Sequence, residues 1–258
     1  MRSALIGYTG FIGGNLARQF DFDSLYNSKN IEDIAGRSYD VIICAGTPGA
    51  KWLANRDSDG DRAAIDRLFG ALRMAEAGRV VYISTIDVYP SALGVDEDTP
   101  IEVTHDSQPY GKHRLMLEKA ICERFDDCLI VRLPAMFGPG LKKNAIYDLL
   151  HNHETHKIHA DGIFQFYNVN NLWGDLEVAR SAELKLVNFA TEPVGIRAIA
   201  EHAFGIEFTN DNGSPPARYD MRSVHAAIFG GHDGYLYDRK QILDQLRDYV
   251  QVEREASK

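Results

Sequence analysis

The hydrophobic positions alternate between two kinds of run. Short, nearly unbroken apolar stretches, "SALI", "YDVIICAG", "RVVYISTIDVY" and "CLIVRLPAMFG", read as buried strands. A parallel strand is covered on both faces and therefore lacks polar alternation. Between them, apolar residues recur about one turn apart. Phe11, Ile12, Leu16 and Phe20 follow the first strand, and "DRAAIDRLFGALRMAEAG" is an amphipathic helix ended by Gly78. "SQPYGKHRLMLEKAICERF" is another, with Ser107 as its cap and Leu117, Ala120 and Ile121 on one stripe. Strands alternating with helices predict an α/β fold with a doubly wound parallel sheet.

Two regions depart from this rhythm. Between the first helix and "YDVIICAG" only "SLYNS" reads as a strand, so one strand–helix element is reduced to little more than a connection. After Gly138 come a loop, "GPGLKKN", a helix, "AIYDLLHNHE", and a turn-rich stretch, "TNDNGSPPARYDM". A surface helix, "DRKQILDQLRDYVQVE", and a frayed tail, "REASK", close the chain. With no repeat and no linker, the expectation is a single unit over residues 1–258. Its core spans about 1–135, and a smaller lobe is built mainly from about 136–235.

Composition narrows the function. The 28 basic and 37 acidic side chains give a formal charge of −9, which disfavours nucleic-acid and anionic-membrane partners. No apolar run reaches membrane-spanning length, and the chain enters its first strand with no room for a cleavable signal. Cys44, Cys122 and Cys128 are odd in number and lack metal-ligand spacing, which argues for buried thiols in a reducing cytoplasm rather than a disulfide framework. His151, His153, His156 and His159 lack the HExxH pattern, so no metal site is expected.

The chemistry starts at "GYTGFIG". Gly7, Gly10 and Gly13 follow a strand and open a helix, the context in which glycines permit a tight turn, close approach of a pyrophosphate and helix–sheet packing. A dinucleotide is the expected ligand, with Thr9, Phe11 and Ile12 lining the turn and Ala45, Gly46 and Ser84 at neighbouring strand ends.

In this order and spacing, the motifs resemble the extended and atypical short-chain dehydrogenase/reductase superfamily, the nucleotide-sugar epimerases, dehydratases and reductases. GxxGFIG opens the chain; "YISTIDVY" resembles the strand carrying the family's Ser/Thr; and Tyr110 follows Thr85 by 25 residues. "RLPAMFGPG" resembles R-x-x-N-x-Y-G-P, and "FQFYNVNNL" resembles R-D-F-V-H-V-D-D-L. The resemblance spans roughly residues 1 to 175 and implies a Rossmann-type fold with a small C-terminal substrate lobe.

It also implies roles. Tyr110 would be the acid/base, and Thr85 would hydrogen-bond the substrate oxygen. A free tyrosine titrates near 10; pulling it about three units toward neutrality takes roughly 4 kcal/mol of electrostatic help. In the family a lysine four residues along the helix supplies that field and holds the nicotinamide ribose. Here Arg114 stands there, and is expected to serve as charge and ribose anchor without releasing a proton. Lys112 points about 200° away around the helix, and His113 is nearer the right face. Asp87 sits where the dehydratases carry one of their two acids, but Ile86 replaces the other.

"SLYNS" ends without an acid for the ribose 2′-hydroxyl, and Ser28 and Lys29 suit a 2′-phosphate, so NADP is favoured over NAD. Asp21 or Asp23 would be the ribose acid if the strand began earlier. Pro134 is a further cofactor contact. Substrate contacts are Thr85, Asp87, Ala135, Lys142, Lys143, Asn144 and Tyr167, although Ala135, Phe164, Asn168, Asn170 and Asn171 depart from the family pattern. The expected function is an NAD(P)-dependent oxidoreductase of the nucleotide-sugar reductase/epimerase type, reduction being favoured, on a small nucleotide-linked sugar. The alternatives are a dinucleotide-binding sensor without turnover and a sugar-nucleotide dehydratase. The resemblance also implies a homodimer through the Tyr110 helix and one neighbour.

Overall fold

The computed structural model describes residues 1–104 and 107–256. Its elements are β1 (Ser3–Ile6), α1 (Phe11–Gln19), β2 (Ser24–Tyr26), β3 (Ser38–Cys44), α2 (Lys51–Arg56), α3 (Ser58–Leu72), β4 (Glu76–Thr85) and β5 (Leu93–Val95). They continue with α4 (Pro109–Arg124), β6 (Cys128–Leu133), β7 (Ala135–Phe137), α5 (Ala145–His151), β8 (Ile163–Phe164), β9 (Phe166–Asn168), α6 (Leu172–Ser181) and β10 (Leu186–Asn188). Last come β11 (Val194–Gly195), α7 (Ile196–Ile199), β12 (Asp220–Met221) and α8 (Arg239–Ala256).

Six strands form the expected parallel sheet, in the order β10-β6-β4-β3-β1-β2. Leu5 of β1 lies opposite Leu25 on one side and Ile43 on the other. The strand order therefore reverses around β1, and the crevice of such a sheet opens beyond the carboxyl ends of β1 and β3. Between β2 and β3 only a 3-10 turn, Ile31–Ile34, remains of a crossover, as the compressed sequence suggests.

The chain divides into two compact units rather than one. The first comprises residues 1–91, 99–132 and 172–187, and the second 92–98, 133–171 and 188–258. The first packs Ile6, Ile42, Leu72, Tyr82, Leu117 and Ile121 against the sheet. The second is built around Phe137, Ile146, Phe166, Ile199, Ile242 and Leu246. Its boundaries depart from the expected lobe: it takes in 92–98 and the whole of α8, whereas 172–187 belongs with the sheet. α8 is thus a wall of the second core, with Ile242, Leu246 and Val250 buried. It continues through Arg254 to Ala256, where fraying was expected; the last two residues lie outside those described.

Other expectations need correction. α3 stops at Leu72, and Gly78 lies inside β4, where an added Cβ would sit 2.9 Å from the Asp40 carbonyl oxygen. The "EAG" segment extends the strand because Glu76 and Ala77 pair with Ser38 and Tyr39. Ser107 does not cap α4. Its hydroxyl accepts from the Thr104 amide, and Pro109 at the first helical position sets the start. Cys122 and Cys128 are not thiols but a disulfide, because the turn between α4 and β6 brings their Cα atoms to 5.5 Å. Cys44 is free and buried, its thiol pushed up to about 12 by burial. No helix among the described residues is long and apolar enough to cross a membrane.

Candidate active site

At the end of β1 the chain turns so tightly that only glycine fits twice. Gly7 has φ +90°, and a Cβ there would lie 2.3 Å from the Ala45 carbonyl oxygen; at Gly13 it would lie 2.2 Å from the Gly7 carbonyl oxygen. The turn is thereby pressed against Ala45, whose amide donates to the Ile6 carbonyl at 2.9 Å, and against Gly46, which abuts the Ile6 side chain. Gly10 and Thr9 instead face solvent, and nothing approaches a Gly10 Cβ closer than 3.3 Å. α1 begins at Gly10 with no side-chain cap, so the leading amides, including those of Phe11 and Ile12, lack helical acceptors. A shallow cradle before an uncapped helix start fits a dinucleotide pyrophosphate.

Beyond β2, Ser28 and Lys29 sit in an exposed turn tied by side-chain amides: Asn27 accepts from the Lys29 amide and Asn30 from the Asn27 amide. Asp23 is at the opposite end of the strand. Its carboxylate accepts from the Ser3 amide at 2.7 Å and the Ser3 hydroxyl at 2.9 Å, bonds that hold its pKa below the usual range. Asp23 and Asp21 both precede β2, so neither can be the ribose acid.

The start of α4 is positioned by main-chain contact. A Cβ on Gly111 would fall 1.8 Å from the Asp87 carbonyl oxygen, so the helix presses onto the 3-10 turn Ile86–Val88 that follows Thr85. Asn55 of α2 completes the seat by accepting the Tyr110 amide at 3.0 Å. Tyr110, Thr85 and Asp87 are thereby brought together. The Asp87 amide donates to the Thr85 hydroxyl at 3.2 Å, the Thr85 hydroxyl to Asp87 Oδ2 at 3.3 Å, and the Lys51 ammonium to Asp87 Oδ1 at 2.5 Å.

Arg114 is where its spacing puts it, under the Tyr110 ring with its guanidinium carbon 3.8 Å from the ring centroid. Its charge, however, is taken up elsewhere. Nη1 donates to Asp61 Oδ2 at 2.6 Å and to the Tyr110 carbonyl at 3.1 Å; Nη2 donates to Asp61 Oδ1 at 2.9 Å and to the Pro48 carbonyl at 2.5 Å. His113 Nδ1 meets the same Asp61 carboxylate at 2.8 Å, and all three side chains are buried. Lys112 points to solvent. The guanidinium is turned toward α3 instead of being presented for a ribose.

This arrangement sets the protonation states. Burial raises the Tyr110 pKa above its ordinary value and Asp87 adds to that, while Arg114, Lys51 and the neighbouring Thr85 hydroxyl oppose it without prevailing. Burial opposes ionisation of Asp61, but hydrogen bonds from Arg114 and His113 outweigh it and hold its carboxyl below the usual range. With its folded pKa depressed, Asp61 contributes stability fully present above the unfolded carboxyl value of about 3.9 and lost as pH falls through the folded pKa. Urea midpoints measured from pH 7 down to 3 should show this loss below about pH 4 in the wild type. Asp61→Asn should lack that component.

Ser84, expected at the cofactor, faces inward. Its hydroxyl donates to Glu118 Oε1 at 2.5 Å, and Arg132 binds Glu118 through Nε and Nη2 and the Tyr89 hydroxyl through Nη1 at 2.8 Å. The network is buried and ties β4, α4 and β6 together. In the second unit, Pro134 is buried, Ala135 pairs with Phe166, and Tyr167 is enclosed against Phe189 and Tyr237. The Asn144 amide is taken up in capping α5, accepting from Ile146 and Tyr147 and donating to the Met136 carbonyl. Lys142 and Lys143 are exposed, with partial desolvation lowering the Lys143 ammonium. No group of three potential metal ligands occurs among the described residues.

The model of the NAD dependent epimerase/dehydratase family matches residues 21–181. The chain belongs to that family. Its members are NAD-dependent oxidoreductases, epimerases and dehydratases acting on nucleotide sugars. The match begins after the glycine turn, so the turn is additional evidence for membership. Among solved structures, MoeE5 in complex with UDP-glucose and NAD superposes with TM-score 0.73 at 19% identity, covering 100% of both chains. RMD from Pseudomonas aeruginosa complexed with NADPH gives 0.74 at 18%, also over 100% of both. A dTDP-4-dehydrorhamnose reductase from Clostridium acetobutylicum gives 0.73 at 15%, over 98% of this chain and 100% of that one. At these identities the likeness concerns the fold. No curated protein sequence matches the chain.

Sequence reasoning missed Asp61, Lys51, Asn55 and Glu118. Asp61 had one signal: an arginine on the buried side of a helix requires a carboxylate, and α3 is rich in aspartate.

Proposed function

We propose that this family member reduces a keto group on a nucleotide-linked sugar with NADPH, Tyr110 donating the proton. One observation carries the direction: burial of the Tyr110 ring, with Asp87 beside it, outweighs the Arg114 charge beneath the ring and keeps the phenol protonated. Reduction of a carbonyl consumes a proton, which a protonated phenol supplies. Epimerisation and elimination begin by oxidising an alcohol and need a base instead.

When bound, the reduced nicotinamide supplies the hydride. Tyr110 gives its proton to the carbonyl oxygen, and Thr85 donates a second hydrogen bond to the same atom as negative charge develops there. The Gly7–Gly13 turn, with Ala45 and Gly46 beneath it, holds the pyrophosphate; Ser28 and Lys29 take the 2′-phosphate. Lys142 and Lys143 are the proposed contacts for the substrate diphosphate. The reductase named among the structural neighbours supports this substrate class. A homodimer through α3 and α4 accompanies the reading and is checked by sedimentation.

Titration of purified protein with each cofactor tests the binding half. NADPH should bind more tightly than NADH by on the order of tenfold, the worth of one charge-assisted contact. Lys29→Ala should erase the difference. Equal affinities would sink the assignment of Ser28 and Lys29. The proposed direction has a pH signature as well: burial raises the Tyr110 pKa above the ordinary tyrosine value, so kcat should fall only at alkaline pH, as the phenol ionises.

A second reading is a dinucleotide-binding sensor without turnover, favoured by the same locked Arg114. It predicts cofactor binding with no keto-sugar reduction.

A further inference from the structure

We propose that Asn55, on α2 and outside every motif above, is a positioning residue that sets the place of Tyr110 by capping α4 from a different helix. This rests on the reductase reading. Tyr110 is the second residue of α4, in the turn whose amides have no helical acceptor. Such a turn is ordinarily closed by the helix's own N-cap side chain, which accepts from the second or third amide. Here the N-cap residue, Gln108, makes no such bond, and Pro109 has no amide to offer. Asn55 Oδ1 accepts the Tyr110 amide at 3.0 Å instead.

The acid/base thus sits in the part of α4 that its own ladder holds least. That ladder begins with the Lys112 amide, which donates to the Gln108 carbonyl at 3.1 Å. Gly111 packs on the Asp87 carbonyl, a contact that limits approach without tying the helix down. The Tyr110 carbonyl accepts from Arg114 Nη1 at 3.1 Å. The main chain of this one residue is therefore tied on both sides, at its amide by Asn55 and at its carbonyl by Arg114.

Asn55 is itself held in place. Ala54 beside it is 4% exposed, and α2 leads directly into Asp57, whose carboxylate caps α3 by accepting the Gly60 amide at 3.0 Å. The same stretch reaches the site twice more. The Pro48 carbonyl accepts from Arg114 Nη2 at 2.5 Å, and the Lys51 ammonium meets Asp87 Oδ1 at 2.5 Å. Residues 48–55 thus grip Arg114, Asp87 and Tyr110 in turn, one residue for each. The Asn55 bond is the neutral one aimed at main chain, so it fixes where the ring stands without adding a charge beside the phenol.

Asn55→Ala and Asn55→Asp in the full chain test this, read by kcat for keto-sugar reduction, NADPH affinity, the urea midpoint and exchange of the Tyr110 amide followed by NMR. Asn55→Ala should lower kcat by about 10- to 100-fold, the scale of a small misplacement of a reacting group. It should leave NADPH affinity unchanged and speed exchange of the Tyr110 amide by at least about tenfold. Asn55→Asp keeps the acceptor, so it should restore most of kcat and slow the exchange again. A cap that serves stability alone would lower the urea midpoint of Asn55→Ala and leave the kcat of the folded enzyme unchanged; that result overturns the proposal. So does an Asn55→Asp variant no better than Asn55→Ala, or a loss of NADPH affinity as large as the loss of kcat. If the wild type reduces no keto-sugar nucleotide, the reductase reading fails separately. The Tyr110 exchange rate then decides: accelerated in Asn55→Ala it upholds the anchoring, and unmoved it overturns it.

Discussion

Tyr110→Phe should lose at least about 100-fold in kcat for keto-sugar reduction, because removing a general acid forfeits roughly 10²–10⁴ in rate. NADPH affinity should hardly change. The phenol lies beside Thr85 and Asp87, and the amide that anchors Tyr110 to Asn55 belongs to the main chain. A phenylalanine keeps the ring stacked on Arg114, so the structure survives and only the proton is lost. Steady-state kinetics and cofactor titration on the same preparation separate the two effects. An equal loss in both would mean that the hydroxyl positions the cofactor, and undiminished turnover would remove Tyr110 from the chemistry.

The second large effect is on stability. Asp61→Ala should cost about 3–5 kcal/mol, the usual consequence of leaving one partner of a buried ion pair uncompensated. Arg114 is 1% exposed and packed under the Tyr110 ring, so its charge would be left buried without a partner carboxylate. Urea denaturation would show the loss as a lower midpoint. Asp61→Ala combined with Arg114→Met should recover most of it, because an apolar pair of similar volume avoids the desolvation penalty. If the single variant is as stable as the wild type, Asp61 does not hold the charge of Arg114.

The sheet was legible because buried parallel strands leave unbroken apolar runs, and β1, β3, β4 and β6 all do so. The glycine turn was legible because Gly7 and Gly13 are dictated by backbone collisions, which any sequence must respect. Gly78 misled because glycine ends helices more often than it sits in strands, and only the close approach of Asp40 explains its place. The Cys122–Cys128 bridge was missed because pairing depends on the path of the turn between α4 and β6, not on a count of cysteines. Tyr110, Thr85 and Asp87 could be found by spacing. The fate of the Arg114 charge could not, since its partner is more than fifty positions away, on α3.

The contact between Gly111 and the Asp87 carbonyl has a wider consequence. The spacing of Tyr110 from Thr85 is gauged by two stretches of backbone in van der Waals contact, not by the side chains around them. Arg114 beneath the ring, Asp61 on α3 and Lys51 on α2 are all arranged around that fixed pair of hydroxyls. The scaffold behaves as a fixed jig, and the direction of the chemistry becomes a matter of which charges are mounted on it.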